Sequence, residues 1–223
     1  MGTSSNHNAQ ATAYSGRYAG NMQSMDTSLT PGRLLEALTA LGAVLTEAGE
    51  RHEFVVVGGA SLSLRGLIAR STADVDVLGH IADGTIESVV PLPPTVLAAA
   101  DAVADAYGLQ RGWFGDDRTA GLLTSSRPLP RGMASRVERV TFGSGLVLDL
   151  ASRVDIICLK LDAAFTLGDD TMRTKHHRDL EELAPTDDEL SAAAAWVEVG
   201  IAPSQTHDDE LAALLTWIRS RRS

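Results

Sequence analysis

The spacing of hydrophobic residues changes several times along the chain, and each change predicts a different element. Leucines and alanines recur at helical spacing in LLEALTALGAVLTEAGE (34–50), and Thr30 and Pro31 supply an N-cap and a first-turn proline. FVVVGG (54–59) is a continuous apolar run ending in two glycines, which is typical of a strand buried on both faces. A second strand is predicted over TADVDVLG (72–79), with the short helix ASLSLRGL between the two strands.

The second half of the chain is predicted to be mostly helical. A proline-rich stretch leads into an alanine-rich helix, residues 109–135 have an irregular pattern, and Gly143 and Ser144 join two strands in a hairpin. Thr186 and Glu189 form a capping box at the start of one helix. The four helices predicted after the hairpin cover about residues 153–167, 172–183, 187–199 and 208–222.

The order of these elements indicates an α/β (α+β) fold with a helical C-terminal part. We predict three segments. Residues 1–28 lack an apolar period and are expected to be a disordered extension. Residues 29–152 form the α/β core, and residues 153–223 form a C-terminal helical subdomain.

Composition argues against some functions and leaves others open. The formal net charge of −10 argues against indiscriminate binding to polyanions, although a local basic groove is still compatible with it. No apolar run approaches the roughly 20 residues that span a bilayer, so we expect no membrane partner. The single cysteine, Cys158, is expected to be a buried small hydrophobe. Because nothing indicates a disulfide framework, the expected location is the cytoplasm.

Two aspartates one residue apart, Asp74 and Asp76, lie in the second predicted strand. Side chains at i and i+2 point to the same face of a strand, so the two carboxylates stand side by side. Two adjacent anions need a compensating cation, and Mg²⁺ is the usual one where phosphates are also bound. A solvated strand face near the edge of the sheet is the alternative interpretation.

The glycines that end the first strand indicate related chemistry. Gly58 and Gly59 leave backbone N–H groups uncovered just before a helix begins, which favours a bound phosphate, and Ser61 adds a hydroxyl donor. A phosphate site and a pair of metal ligands on adjacent elements are the groups that phosphoryl or nucleotidyl transfer requires.

Two further charged residues lie in apolar surroundings. Sites with two metal ions usually use a third carboxylate, and Asp149 is the candidate because it lies inside the apolar strand GLVLDLAS. An edge strand with Asp149 in water is the alternative. Lys160 lies on a helix face that offers it no carboxylate, so it either reaches solvent or meets an anion from elsewhere. Our hypothesis for that anion is a nucleoside triphosphate.

The run GG (58–59) followed by DVD (74–76) resembles the signature of the nucleotidyltransferase superfamily of DNA polymerase β. GGASL and RSTADVD look closer to the bacterial AbiEii and MenT-type nucleotidyltransferases, which show a GG-x-x-L…R-x-T-x-D-h-D run. LVLDLAS, VDIICLKLDAAF and KHHRDLEEL occupy the places of that family's third acidic strand, lysine-bearing helix and following lysine/aspartate segment. The resemblance covers roughly residues 34–199 and leaves residues 80–135 unmatched.

The resemblance implies a nucleotidyltransferase fold with a mixed sheet, helices behind it and a helical part that closes over the nucleotide. It implies a toxin that moves a nucleoside monophosphate from an NTP, often to the 3′ end of tRNA, and that an antitoxin protein restrains. Our hypothesis gives two Mg²⁺ ions to Asp74, Asp76 and Asp149, with Lys160 neutralising charge on the triphosphate. The candidate nucleotide contacts are Gly58, Gly59, Ser61, Arg70, Thr72, Lys160, Lys175 and Asp179.

Several assignments have structural alternatives. A surface ion pair at i, i+4 explains Lys175 and Asp179 as well as a binding role does, and Arg70 fits a surface arginine equally well. Trp113 and Phe114 would be available to stack on bases beside an RNA-facing arginine strip, or they anchor a solvated loop. The arginines of this strip are Arg111, Arg118, Arg127, Arg131, Arg136 and Arg139.

Three functions are therefore compatible with the sequence. The first is an RNA nucleotidyltransferase toxin, which the arginine strip favours. The second is transfer of a nucleotide to a small molecule such as an aminoglycoside, or to a protein side chain, which the acidic composition favours. The third is a catalytically silent member of the fold used for binding, against which the three filled acidic positions argue.

Overall fold

The computed structural model describes residues 28–115, 128–166, 170–199 and 204–222. The predicted disordered extension therefore lies outside the described residues, apart from Ser28 at its end. Two arginines of the predicted strip, Arg118 and Arg127, also lie outside them.

Helices and strands follow the sequence prediction closely. The strands are β1 (His52–Val57), β2 (Val75–Ala82), β3 (Thr85–Glu87), β4 (Phe114–Gly115), β5 (Glu138–Phe142) and β6 (Leu146–Leu150). The helices are α1 (Pro31–Glu47), α2 (Gly58–Leu64), α3 (Pro94–Tyr107), α4 (Arg153–Thr166), α5 (Asp170–Leu183), α6 (Asp187–Val199) and α7 (Gln205–Ser220). The short strands β3 and β4 have no counterpart in the sequence prediction.

Local capping explains where two of the helices begin. The Thr30 side chain accepts a hydrogen bond from the backbone N–H of Arg33 (3.3 Å), and Pro31 occupies the first turn of α1. Before α6, the Thr186 backbone N–H donates to Glu189 (2.8 Å), and the Glu189 N–H donates to the Thr186 hydroxyl (3.2 Å). The predicted capping box is therefore confirmed.

Within the described residues, six strands form one mixed sheet in the order β3-β2-β1-β6-β5, and β4 pairs with β2. Strand β1 runs antiparallel to β2 and parallel to β6, so it lies at the centre of the sheet. The predicted mixed sheet and the hairpin of β5 with β6 are confirmed. Because both faces of the sheet are covered, the apolar side chains of this central strand are buried from Phe54 to Val57.

The two faces of the sheet carry separate hydrophobic cores. Phe54 and Val56 of β1 pack with α1 and α3 on one face. Val55 and Val57 point to the other face, where they pack with residues of α4 to α7 and with the buried Cys158. These helices therefore share one hydrophobic core with the central strand. The division of the chain at residue 152 stays a prediction.

Within the described part of the chain, no helix has both the length and the apolar character that crossing a membrane requires.

Candidate active site

Asp76 lies directly against the glycine that follows β1. Val57 and Asp76 are opposite each other in the antiparallel pairing, and Gly58 comes next with φ +71°. A Cβ atom added to Gly58 would collide with the Asp76 carboxylate. Glycine is therefore required here both for the left-handed backbone and for the space that Asp76 occupies.

Gly59 and Thr72 fix the segment that enters β2. A Cβ atom on Gly59 would lie 2.9 Å from the Thr72 hydroxyl oxygen. Thr72 is buried, its hydroxyl donates to the carbonyl of Asp74 (3.1 Å), and its backbone forms two hydrogen bonds with Leu29 (2.7 and 3.0 Å). The Thr72 hydroxyl, a predicted ligand contact, is therefore hydrogen-bonded to the backbone of Asp74 and helps to position that residue.

Asp74 and Asp76 border an open cleft of about 460 Å³. Asp74 is buried and Asp76 is half-buried. The start of α3 and the segment that ends in β4 form the other side of this cleft. The structure therefore places both members of the predicted carboxylate pair where a bound molecule can reach them.

Asp179 of α5 lies at the centre of a buried charged network. Its side chain is 0% exposed, and its Oδ2 lies 2.6 Å from the Nζ of Lys160, which is also buried. Its Oδ1 pairs with Arg70. Of the two alternatives for Lys160, the structure shows an anion from elsewhere, and that anion is Asp179. A contact of Lys160 with a nucleotide stays a prediction.

Arg70 extends this network to a second acidic residue on α5. Its guanidinium lies 3.8 Å from Glu182, and Glu182 accepts a hydrogen bond from the backbone N–H of Ala69 (3.1 Å). We refer to Arg70, Lys160, Asp179 and Glu182 as the Asp179 network. Because Ala69 and Arg70 lie in the loop before β2, the network ties α5 to the segment that carries Asp74.

Burial and charge compete within the Asp179 network. Burial lowers the pKa of Lys160, while Asp179 and, at longer range, Asp76 oppose that shift. Burial alone would raise the pKa of Asp179, but Lys160 and Arg70 outweigh it and the pKa is lowered. The network is therefore held by ion pairs, and Lys160 lies close enough to Asp76 for their charges to interact.

Lys175 and His176 lie beside the network without forming its centre. Desolvation and the nearby Lys160 lower the pKa of His176 to about 4, so this ring is neutral at pH 7. Its Nδ1 lies 3.5 Å from the Lys160 Nζ. The interpretation of Lys175 and Asp179 as a surface ion pair is wrong, because Asp179 is buried and pairs with Lys160 and Arg70.

Ser61 has a structural partner rather than an open position. Its side chain is fully buried, and its hydroxyl donates to the carbonyl of Ala151 (3.2 Å) just after β6. The prediction that Ser61 offers a donor to a triphosphate is therefore wrong for this conformation, because the hydroxyl ties α2 to the end of β6.

Asp149 is buried, as its apolar strand predicted, but it has its own cation. The guanidinium of Arg139, directly opposite on β5, donates to both carboxylate oxygens of Asp149 (2.9 and 3.0 Å) and to Glu53 (3.1 Å). These acids, with Asp149 contributing most, raise the pKa of Arg139. The alternative of an edge strand with Asp149 in water is wrong, because the residue is 2% exposed.

The structure does not bring Asp149 together with the other two aspartates. Asp149 pairs with Val55 on one side of β1, and Asp76 pairs with Val57 on the other. Two strand spacings and a two-residue offset put their backbones about 12 Å apart. Within the described residues, no group of three or more His, Cys, Asp or Glu side chains is placed to hold a metal ion.

The pair of Asp74 and Asp76 fits Mg²⁺ that arrives with a nucleotide. Mg²⁺ in such sites takes one or two protein carboxylates and completes its octahedron with phosphate oxygens and water. Asp74 and Asp76 supply two carboxylates at the border of an open cleft, which matches that donor set. A metal site that adds Asp149 as a third carboxylate does not fit, because Arg139 is hydrogen-bonded to both carboxylate oxygens of Asp149.

The prediction that Trp113 and Phe114 stack on RNA bases beside the arginine strip is wrong. Trp113 and Phe114 are buried at 1% and 0% exposure, and the Trp113 indole donates to the carbonyl of Ala100 (2.9 Å). They are part of the core beneath α1 and α3, so they cannot stack on a base.

Three arginines of the predicted RNA-facing strip are paired with acids. Arg136 pairs with the fully buried Asp155, and Arg139 pairs with Asp149. Arg111 pairs with Asp101 (3.2 Å) on α3 and with a second acid on the same helix. These ion pairs reduce the positive charge that the strip would offer to a phosphate backbone.

Residues 33–106 match a family model described as nucleotidyltransferase of unknown function (DUF6036). The match supports nucleotidyl transfer. The matched segment contains Gly58, Gly59, Asp74 and Asp76, and it ends before Asp149. Neither the curated proteins nor the solved structures gave a match to this chain.

The sequence prediction missed the position of Asp179 and the cleft at α3. A signal for the buried Asp179 is present in KHHRDLEEL, where it adjoins Leu180 and precedes Leu183 by one helical turn. Both leucines face the core. A charged residue on the apolar face of a helix implies a buried partner.

Replacing Gly58 with alanine is expected to displace the Asp76 carboxylate and to lower transfer activity by at least about 100-fold, the effect of misplacing a reacting group by about 1 Å. Gly66 is the matched control, because it has φ +67° and a Cβ there would meet nothing within 4 Å. Each variant should lose about 1–2 kcal/mol of folding free energy through backbone strain. Steady-state rates and urea unfolding measure both effects, and equal activity of the two variants would contradict the proposed contact.

Replacing Arg139 with glutamine is expected to destabilise the protein by about 1–3 kcal/mol, because the buried Asp149 loses its counter-ion, although Arg139 itself is half exposed. Arg51→Gln is the control, since Arg51 pairs with Glu53 (2.6 Å) at the surface, and it should cost less than about 1 kcal/mol. Urea unfolding compares the two. If Arg139→Gln is no more destabilised than Arg51→Gln, the Asp149 pair does not contribute to stability.

Proposed function

We propose that the protein is a Mg²⁺-dependent nucleotidyltransferase that moves a nucleoside monophosphate from an NTP to an acceptor hydroxyl. The observation that carries this proposal is the pair of Asp74 and Asp76 at the border of a cleft, with Asp76 packed on Gly58. The segment that matches nucleotidyltransferases contains all three residues.

The chemistry is a displacement at the α-phosphorus. The acceptor oxygen forms a bond to the α-phosphorus, the bond to the bridging oxygen of the β-phosphate breaks, and pyrophosphate leaves with that electron pair. The hydroxyl proton passes to solvent. Mg²⁺ held by Asp74 and Asp76 would neutralise charge on the phosphate oxygens. Lys160, positioned by Asp179 and close to Asp76, adds positive potential on the same side.

Two classes of acceptor are candidates. The resemblance to AbiEii and MenT-type proteins favours the 3′ end of tRNA and a toxin role with a cognate antitoxin. The structure adds an observation in favour of a small-molecule acceptor, since Trp113 and Phe114 are buried and Arg136 and Arg139 are bound to buried acids.

The experiment supplies each α-phosphate-labelled NTP with Mg²⁺ and follows label into bacterial RNA and into a small-molecule extract. Wild type is compared with Lys160→Ala. Label in a tRNA-sized band that the variant fails to produce supports the toxin hypothesis, whereas label confined to small molecules supports the second candidate. Failure of wild type to release pyrophosphate with any acceptor would contradict nucleotidyl transfer.

A further inference from the structure

The cleft beside Asp74 and Asp76 lies apart from the groups proposed to face the triphosphate. Its lining includes both aspartates and, from the opposite wall, Leu97, Gln110 and Arg111. It does not include Gly58, Gly59, Lys160 or Asp179. Asp76 therefore lies against Gly58 and also borders an open cleft, a position from which it can face two bound substrates.

The size of the cleft suits one small molecule. Its volume of about 460 Å³ lies within the roughly 300–1,000 Å³ of typical small-molecule sites. Leu97 provides apolar surface for a carbon skeleton, since it is 41% exposed at the end of α3 that faces the cleft. Gln110 adds an amide that can donate and accept hydrogen bonds.

The charges around the cleft are predominantly negative. Asp74 and Asp76 lie at one side, and Arg111 at the other is bound to Asp101 (3.2 Å) and Asp105 (2.7 Å) of α3. Asp101 and Asp105 do not line the cleft, but they compensate Arg111, so Asp74 and Asp76 dominate the charge of the described lining. A triphosphate brings more negative charge than the Mg²⁺ ion that accompanies it, so the local potential stays negative when both are bound.

We propose that this cleft is the acceptor site and that the acceptor is a small, positively charged molecule with a hydroxyl group. The inference rests on the proposed nucleotidyl transfer and specifies its substrate class. The negative potential attracts a cation and repels a phosphate backbone, while Leu97 contacts the carbon atoms of the acceptor. Transfer forms an oxygen–phosphorus bond on the acceptor, releases pyrophosphate and passes the hydroxyl proton to solvent.

The test uses three probes with the same sugar ring and different charges, together with bacterial RNA. Glucosamine is the cation, glucose the neutral control and glucose 6-phosphate the anion. Wild type receives labelled NTP and Mg²⁺, and mass spectrometry measures the nucleotidylated products. We expect a specificity constant for glucosamine at least about 10-fold above that for glucose, and no product with glucose 6-phosphate.

A pair of variants links this preference to the cleft. Leu97→Trp should fill the mouth of the cleft and raise the KM for glucosamine by about 10-fold, with the KM for NTP unchanged. Leu35→Trp is the control, because Leu35 is 53% exposed on α1 and does not line the cleft. It should leave both constants unchanged. Equal effects of the two variants would overturn the assignment of the cleft.

Thermal stabilisation by NTP and Mg²⁺ separates failure of this inference from failure of the proposed function. If NTP with Mg²⁺ stabilises wild type but label enters RNA or glucose 6-phosphate in preference to glucosamine, the inference is overturned and nucleotidyl transfer stands. Stabilisation without any glucosamine product also overturns the inference. If NTP neither stabilises the protein nor yields pyrophosphate with any acceptor, the proposed function itself fails.

Discussion

Replacing Asp76 with asparagine is expected to lower the rate of nucleotidyl transfer by at least about 1,000-fold, which corresponds to about 4 kcal/mol of transition-state stabilisation. The amide removes the anionic oxygen that Mg²⁺ requires and leaves the shape of the side chain nearly unchanged. The fold should be retained, because Asp76 is only half-buried and lies at the border of the cleft. Label transfer from NTP measures the rate, and circular dichroism checks the fold.

Asp83→Asn is the matched control for this variant. Asp83 is exposed in the turn that ends β2, and its φ of 49° suits asparagine as well as aspartate. The same charge is removed from the same hairpin, so the control should retain activity within about twofold of wild type. If Asp76→Asn keeps more than about a tenth of the wild-type rate, a metal-binding role for Asp76 is contradicted.

Replacing Asp179 with asparagine is expected to cost about 3–5 kcal/mol of folding free energy, the typical effect of removing one partner from a buried ion pair. Lys160 and Arg70 would both lose the carboxylate that compensates them, and Lys160 is too deeply buried to reach solvent. Urea unfolding at neutral pH measures the loss. Transfer activity should also fall, because the network positions Lys160 near Asp76.

The pH dependence of stability provides a second measurement on Asp179. Its pKa in the folded protein is below the ordinary value of 3.8, so the folded state releases this proton more readily than the unfolded state. The resulting stabilisation is present above the ordinary pKa and is lost as the pH falls through the lower, folded-state pKa. The stability difference between wild type and Asp179→Asn should therefore shrink in strong acid.

Glu181→Gln is the control for Asp179→Asn. Glu181 lies on the same helix, is exposed, and is 4.0 Å from Arg221. A surface pair of this kind contributes little, so the control should lose less than about 0.5 kcal/mol. If the two variants lose equal stability, the Asp179 network does not hold α5 against the loop before β2.

The sequence alone determined the parts of this protein that depend on local spacing. The apolar run before Gly58 predicted the central strand, and the period of two predicted the strand that follows it. That strand begins at Val75 rather than Thr72, so Asp76 lies within it and Asp74 lies just before it. Caps at Thr30 and Thr186 marked two helix starts. Each of these signals acts through neighbouring residues, so it is readable without knowing how the chain packs.

The tertiary structure decided which charged residues meet. Lys160 and Asp179 are on different helices, and nothing in local spacing specifies that Arg70 joins them or that Arg139 takes both oxygens of Asp149. Such pairs form because burial makes an uncompensated charge costly, and only packing determines which opposite charge is within reach. For the same reason, the sequence predicted that Asp74 and Asp76 lie close together along the chain, but it did not predict that Asp149 lies apart from them and pairs with Arg139.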